Sequence, residues 1–221
     1  MKQISLFTFS SIVSIGTLLL YNIPFFNYVA QNTNESLGGK IFLLTSLVII
    51  MLALNFMMTY LVMWLMRIVG RILLAILSII NATAVYFIYT YSVMIDATTI
   101  ENVFNTRYSE ASGFFSWPMW LSIIGFGLLP ALFCLLWPVR YDKAKKLGIY
   151  CGGSLAIVAA IAAMNIGQTL FVTQHDTELG GLLQPWSYVV NTGRVLSFQH
   201  DEQAEEIKLP DGKITDNKKA G

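Results

Sequence analysis

Hydrophobic and polar positions along this chain alternate in long blocks. Five stretches, residues 4–34, 41–66, 72–95, 111–139 and 147–174, hold none of the 27 charged side chains. A helix needs about 20 mostly apolar residues to cross the hydrocarbon core of a bilayer, and an Asp, Lys or Arg at its centre costs about 3 kcal/mol on insertion scales. Each stretch is long enough. The pattern predicts an all-α membrane protein with five transmembrane helices and short periplasmic interfacial helices.

The polar breaks refine this plan. Arg67 and Arg71 follow the second stretch at once, so a tight turn joins the second and third spans into a hairpin. Between the third and fourth spans, Thr98 and Glu101 stand three residues apart as a capping box, and Gly113 supplies a stop. They predict a helix over about 98–112. Gly125, Gly127 and Pro130 predict a kink or close packing in the fourth span. Asn55, Asn81 and Asn165, inside spans, read as interhelical hydrogen-bonding residues.

Residues 1–174 thus form the transmembrane domain. In 175–199, an amphipathic segment, Trp186, Val189, Val190, Gly193 and Leu196 share one face, which predicts a helix lying on the outer membrane surface with Pro185 in its first turn. The last 21 residues carry six acidic and four basic side chains. Residues 200–221 read as a polar linker.

Composition agrees: 55% of residues are hydrophobic and 12% charged, with a mean hydropathy of +0.61, against about 25% charged for a soluble domain. The net charge of +1 says little; its distribution says more. Lys2, Arg67, Arg71, Arg140, Lys143, Lys145 and Lys146 all fall on one side if the spans alternate, which predicts a cytoplasmic N-terminus and a C-terminus on the far side, the periplasm if the chain is bacterial. Trp64 and Trp137 mark the inner edge of the aromatic belt, Trp117, Trp120 and Trp186 the outer. The first stretch reads as a retained helix in preference to a cleaved signal peptide. Cys134 and Cys151 read as packing residues, and His175 and His200 are too far apart to make a metal site. No zinc-ligand spacing, phosphate loop or nucleophile elbow is present.

One constellation can carry chemistry. Asn102, Thr106 and Glu110 recur at i, i+4 and i+8, within about 80° on one face of a continuous helix. An amide, a hydroxyl and a carboxylate in one stripe can hydrogen-bond a lipid headgroup, with the carboxylate accepting from an ammonium. The same stripe also reads as the solvated face of a surface helix.

The run from Tyr91 through Asp96, Asn102, Thr106 and Glu110 to Ala111 resembles the periplasmic signature that follows the third helix in bacterial phosphoethanolamine transferases acting on lipid A or related acceptors. That signature is Asn-Val-x-x-Thr with Glu-Ala four residues beyond the Thr. The similarity extends to the five-span plan and more loosely to Gln184-Pro185-x-x-Tyr188, where the family commonly has Asn-Pro. The resemblance implies that this domain holds phosphatidylethanolamine, with Tyr91, Asn102, Thr106 and Glu110 at the lipid-substrate cavity. It implies a periplasmic catalytic domain, missing here or separate, with a threonine nucleophile and zinc. The chain itself shows no catalytic residue, metal ligand or cofactor site, so it is expected to be inert alone, resident in the bacterial inner membrane, and without a nucleic-acid partner.

Two other classes stay open on residues alone. A small transporter or channel is disfavoured by spans without an ionisable residue and by the lack of an inverted repeat. A structural membrane partner of a separately encoded catalytic subunit is the other.

Overall fold

The computed structural model describes residues 2–107 and 112–204 and begins with a capped helix. The Ser5 hydroxyl accepts from the Thr8 amide at 3.0 Å, satisfying one of the free N–H groups that open α1, Leu6–Tyr21. At Asn22 the chain bends by 57° into α2, Ile23–Asn32, and the pair is long and apolar enough to cross a membrane as one bent span. Pro24 sits in the first turn of α2, where its missing N–H has no intrahelical partner to lose.

α3, Leu37–Tyr91, runs for 55 residues. Straight, it would measure about 80 Å against a bilayer core of about 30 Å. It is broken at Arg67, where φ is 43° and ψ −102°, and there it doubles back. A Cβ on Gly70 would stand 2.9 Å from the carbonyl oxygen of Val62, so the arms touch directly after the turn and glycine is required there. Leu43 and Met51 of the first arm share a core with Ala84 and Ile88 of the second. The predicted hairpin is this element.

α4, Ala97–Asn105, follows. The fourth span is α5, Trp117–Ser122, then a π-helical turn, Ile123–Leu128, then α6, Leu129–Leu136. Pro130, in the first turn of α6, cannot donate to the helical ladder, and the wider turn lies just before it. Gly127 lets that turn press against α3, where a Cβ would meet Ala82 and Ile79 at 3.2 Å. The expected close packing is seen at Gly127. α7, Ala144–Met164, is the fifth span and packs on α3. With α3 counted as two arms, the described residues hold five apolar crossings.

α8, Thr169–Gln174, α9, Asp176–Leu182, and α10, Trp186–Ala204, complete the described chain. Two cores result. One, at the hairpin-turn end, gathers Leu6, Phe9, Tyr60, Met63, Leu74 and Cys134. There Ile4–Ser5 pairs in parallel with Val139–Arg140. The other joins α2 and both arms of α3 to Ile95, Ile100, Leu179, Tyr188 and Val195.

Two expectations change, the extent of the helix after the third span and the place of Trp186. The helix expected over 98–112 runs from Ala97 to Asn105: its cap is Asp96, whose carboxylate accepts from the Thr99 amide at 2.8 Å, which puts Thr98 inside the first turn. In α10, Val189, Val190, Gly193 and Leu196 share one exposed face, as their spacing predicts, while Ser187, Tyr188, Asn191 and Val195 turn inward. Trp186 is drawn into the bundle and away from the outer belt, because its indole N–H donates to Asn55 Oδ1 at 3.2 Å.

Candidate functional site

The polar stripe lies at the end of the molecule opposite the hairpin turn. Tyr91 closes α3 and is 43% exposed; its ring packs edge-on to Phe114 at 5.6 Å and against Phe87 at 5.4 Å. Ser92, at φ 54° in the left-handed region, ends the helix and turns the chain toward α4.

That chain is firmly seated. The Ile95 amide donates to Gly181 O at 3.0 Å, and Asn191 Nδ2 donates to Ile95 O at 2.8 Å, so residue 95 is held between α9 and α10. Gly181 permits the close passage, since a Cβ there would stand 3.0 Å from Met94 Cβ. Thr99 Oγ1 donates to Met94 O at 2.7 Å and ties the first turn of α4 to the same strand of chain.

Asn102 and Thr106 are both exposed and are brought together: the Thr106 hydroxyl donates to Asn102 O at 2.6 Å. This bond satisfies one of the open carbonyls of the last turn and accompanies the stop at Asn105, where Thr106 is already extended at φ −72° and ψ 127°. The stripe is therefore an exposed helix end and its cap, not three turns of one helix. Glu110 lies outside the described residues. Among the described residues, the ring contacts of Tyr91 are with Tyr86, Phe87 and Phe114, and no hydrogen bond joins it to Asn102 or Thr106.

The corner between α9 and α10 is where sequence reasoning missed most. Gln184 is fully buried and precedes a cis Pro185. Asn22, also fully buried, clamps it: Nδ2 donates to Gln184 O at 3.0 Å and Oδ1 accepts from the Gln184 amide at 2.9 Å. Tyr188 donates to Asn81 Oδ1 at 2.9 Å, so Asn55 and Asn81 do bond across elements, while Asn165 Nδ2 bonds Ile161 O in its own helix. The tie Trp186 makes to Asn55 lies about 18 Å along the first arm from Arg67, so the corner reaches deep into the span. Among the described residues, no three His, Cys, Asp or Glu side chains come together, so the side chains seen offer no seat for zinc.

A helical hairpin with three further crossings and a polar corner folded onto them defines a polytopic α-helical membrane domain. The sequence model of the family described as phosphoethanolamine transferase EptA/EptB matches residues 50–200, and the chain belongs to that family, as its N-terminal membrane domain. It is 26% identical over 181 residues to phosphoethanolamine transferase EptA of Helicobacter pylori, covering 82% of this chain and 34% of that one. Against phosphatidylethanolamine transferase Mcr-1 of Escherichia coli it is 24% identical over 206 residues, 90% of this chain and 37% of the relative. The fold matches that of the integral membrane lipooligosaccharide phosphoethanolamine transferase A of Neisseria meningitidis with a TM-score of 0.77 at 18% identity, covering 93% of this chain and 38% of that one. The chain spans about a third of the length of these relatives.

Proposed function

We propose that this domain holds phosphatidylethanolamine for a phosphoethanolamine transferase and presents its headgroup to a periplasmic catalytic domain, continuous with it or separate. In this reading phosphoethanolamine moves to lipid A or a related cell-envelope acceptor. The chain by itself binds lipid and turns nothing over, and the zinc and threonine chemistry belong to the catalytic domain. Family membership over residues 50–200, a stretch that contains Tyr91, Asn102, Thr106 and Glu110, carries the proposal. The exposure of Asn102 and Thr106 beside the seated 94–95 segment supports it, because a headgroup site must stay open to solvent. The name of Mcr-1 as a phosphatidylethanolamine transferase points to the same donor.

The test is lipid selectivity. Glu110→Gln is nearly isosteric and removes only the charge that would meet an ethanolammonium. A charged hydrogen bond is worth about 1.5–3 kcal/mol, so phosphatidylethanolamine binding should weaken about tenfold or more, while phosphatidylglycerol binding changes little. Glu101→Gln is the control. Native mass spectrometry of the solubilised protein reads all four combinations, and equal losses for the two variants would sink the headgroup site.

The same reading places the domain in the inner membrane with the hairpin turn in the cytoplasm and α4 in the periplasm. A cysteine replacing Asn105 should then react with an impermeant thiol reagent added outside spheroplasts, and one replacing Lys143 should not. Reverse labelling would invert the orientation.

A further inference from the structure

A cavity of about 290 Å³ lies between the two arms of α3, roofed by Pro185 and Trp186. Its polarity is graded along the arms. Asn55 and Asn81 stand under the roof; toward the hairpin turn the walls become mostly apolar, Met58, Val62, Leu73 and Leu74, with Thr59 among them. Ser78, one turn from Asn81, uses its hydroxyl to donate to Leu74 O at 2.9 Å within its own helix.

The amides at the roof have a defined need. Asn55 Oδ1 accepts from Trp186 and Asn81 Oδ1 from Tyr188, so each amide oxygen already has a donor. Asn55 is 6% exposed, and its Nδ2 is buried with no hydrogen-bond partner among the described residues. Such a donor in a low-dielectric interior calls for an acceptor. The way in is lateral, since two lining residues, Leu73 at 37% and Val189 at 46%, are exposed.

We infer that this cavity is a lipid-chain site, in which Asn55 Nδ2 donates to an acyl-ester carbonyl and part of the attached chain lies along Val62, Leu73 and Leu74. A carbonyl oxygen supplies the acceptor and no competing donor, and a hydrocarbon chain fills walls from which a water cluster gains nothing. The site reads the ester and the chain and ignores the headgroup. It therefore stands apart from the headgroup reading of Asn102, Thr106 and Glu110, and either can fail alone.

The experiment compares diester phosphatidylethanolamine and phosphatidylglycerol with their diether analogues, whose ether oxygens are poorer acceptors, by native mass spectrometry of the full chain. The parent should favour the diester forms about fivefold with both headgroups, the worth of one neutral hydrogen bond. Asn55→Leu should erase that preference. Leu73→Trp, which fills the apolar half and leaves the Asn55–Trp186 bond in place, should lower binding of all four lipids. A parent indifferent to ester against ether, or an Asn55→Leu variant that keeps the preference, overturns the inference. So does rapid reaction of a Thr59→Cys variant with a charged thiol reagent in lipid-replete protein, which would show the cavity to be aqueous.

Discussion

The two ends of the bundle are closed by different chemistry. At the hairpin-turn end the lock is a carboxylate: Asp142 accepts from Tyr60 Oη at 3.1 Å and from Lys146 Nζ at 2.8 Å, and its backbone carbonyl accepts from Trp64 Nε1 at 3.0 Å. At the corner end the lock is neutral: Asn22 with Gln184, Asn55 with Trp186, Asn81 with Tyr188, and Asn191 with Ile95. The Lys146 side chain is 53% exposed and the Asp142 side chain 8%, so the ion pair sits at the edge of the bundle with its lysine in water. The corner amides sit far along the arms, where a bare charge would be costly and a neutral amide already makes the needed bonds. Depth in the bundle, more than a need for strength, decides which chemistry each end uses.

The sharpest way to break this contrast is Asn22→Ala. It frees both the amide and the carbonyl of a fully buried residue, Gln184, so it should lower stability by about 3 kcal/mol, seen as a fall in the melting temperature of the solubilised protein. A loss under 1 kcal/mol would mean that the neutral lock does not hold the corner. Tyr60→Phe removes one hydrogen bond to a carboxylate that keeps its lysine, and should cost about 1.5 kcal/mol. Smallest of all, Lys146→Gln should barely move the melting temperature, and any change should vanish as salt is raised to about 1 M, where charges are screened beyond about 3 Å. Salt should leave the Asn22→Ala effect intact. If salt erased both, the two ends would share one chemistry after all.

Legibility in the sequence followed the range of each interaction. The hairpin was readable because Arg67 and Arg71 interrupt two apolar blocks at one point, and the close packing of the fourth span because Gly127 is a small residue within it. Asn55 and Asn81 could be recognised as hydrogen-bonding residues, since a polar amide in a span needs a partner. Their partners could not: Trp186 and Tyr188 lie more than 100 residues away, on a segment whose apolar residues suggested a helix resting on the membrane. That segment has apolar side chains on two faces, and spacing alone could not say that Tyr188 and Val195 turn inward while Val189 and Leu196 stay out. The candidate site was half legible. The spacing of Asn102 and Thr106 brought them together, but the same spacing suits a helix and its cap, and only the Thr106 bond to Asn102 O distinguishes the two.

The single non-helical residue in α3 has a consequence for assembly. With Arg67 as the whole turn and Gly70 already against Val62, the two arms meet through contacts only a few residues apart in sequence. Contacts so local form early, because little loop entropy stands against them. The hairpin is therefore placed to form first as the chain enters the bilayer, and α1, the fourth span and α7, all of which pack on α3, to gather around it afterwards. The corner, whose bonds to the hairpin and to Asn22 join residues 107 to 162 positions apart, would be the last part to close.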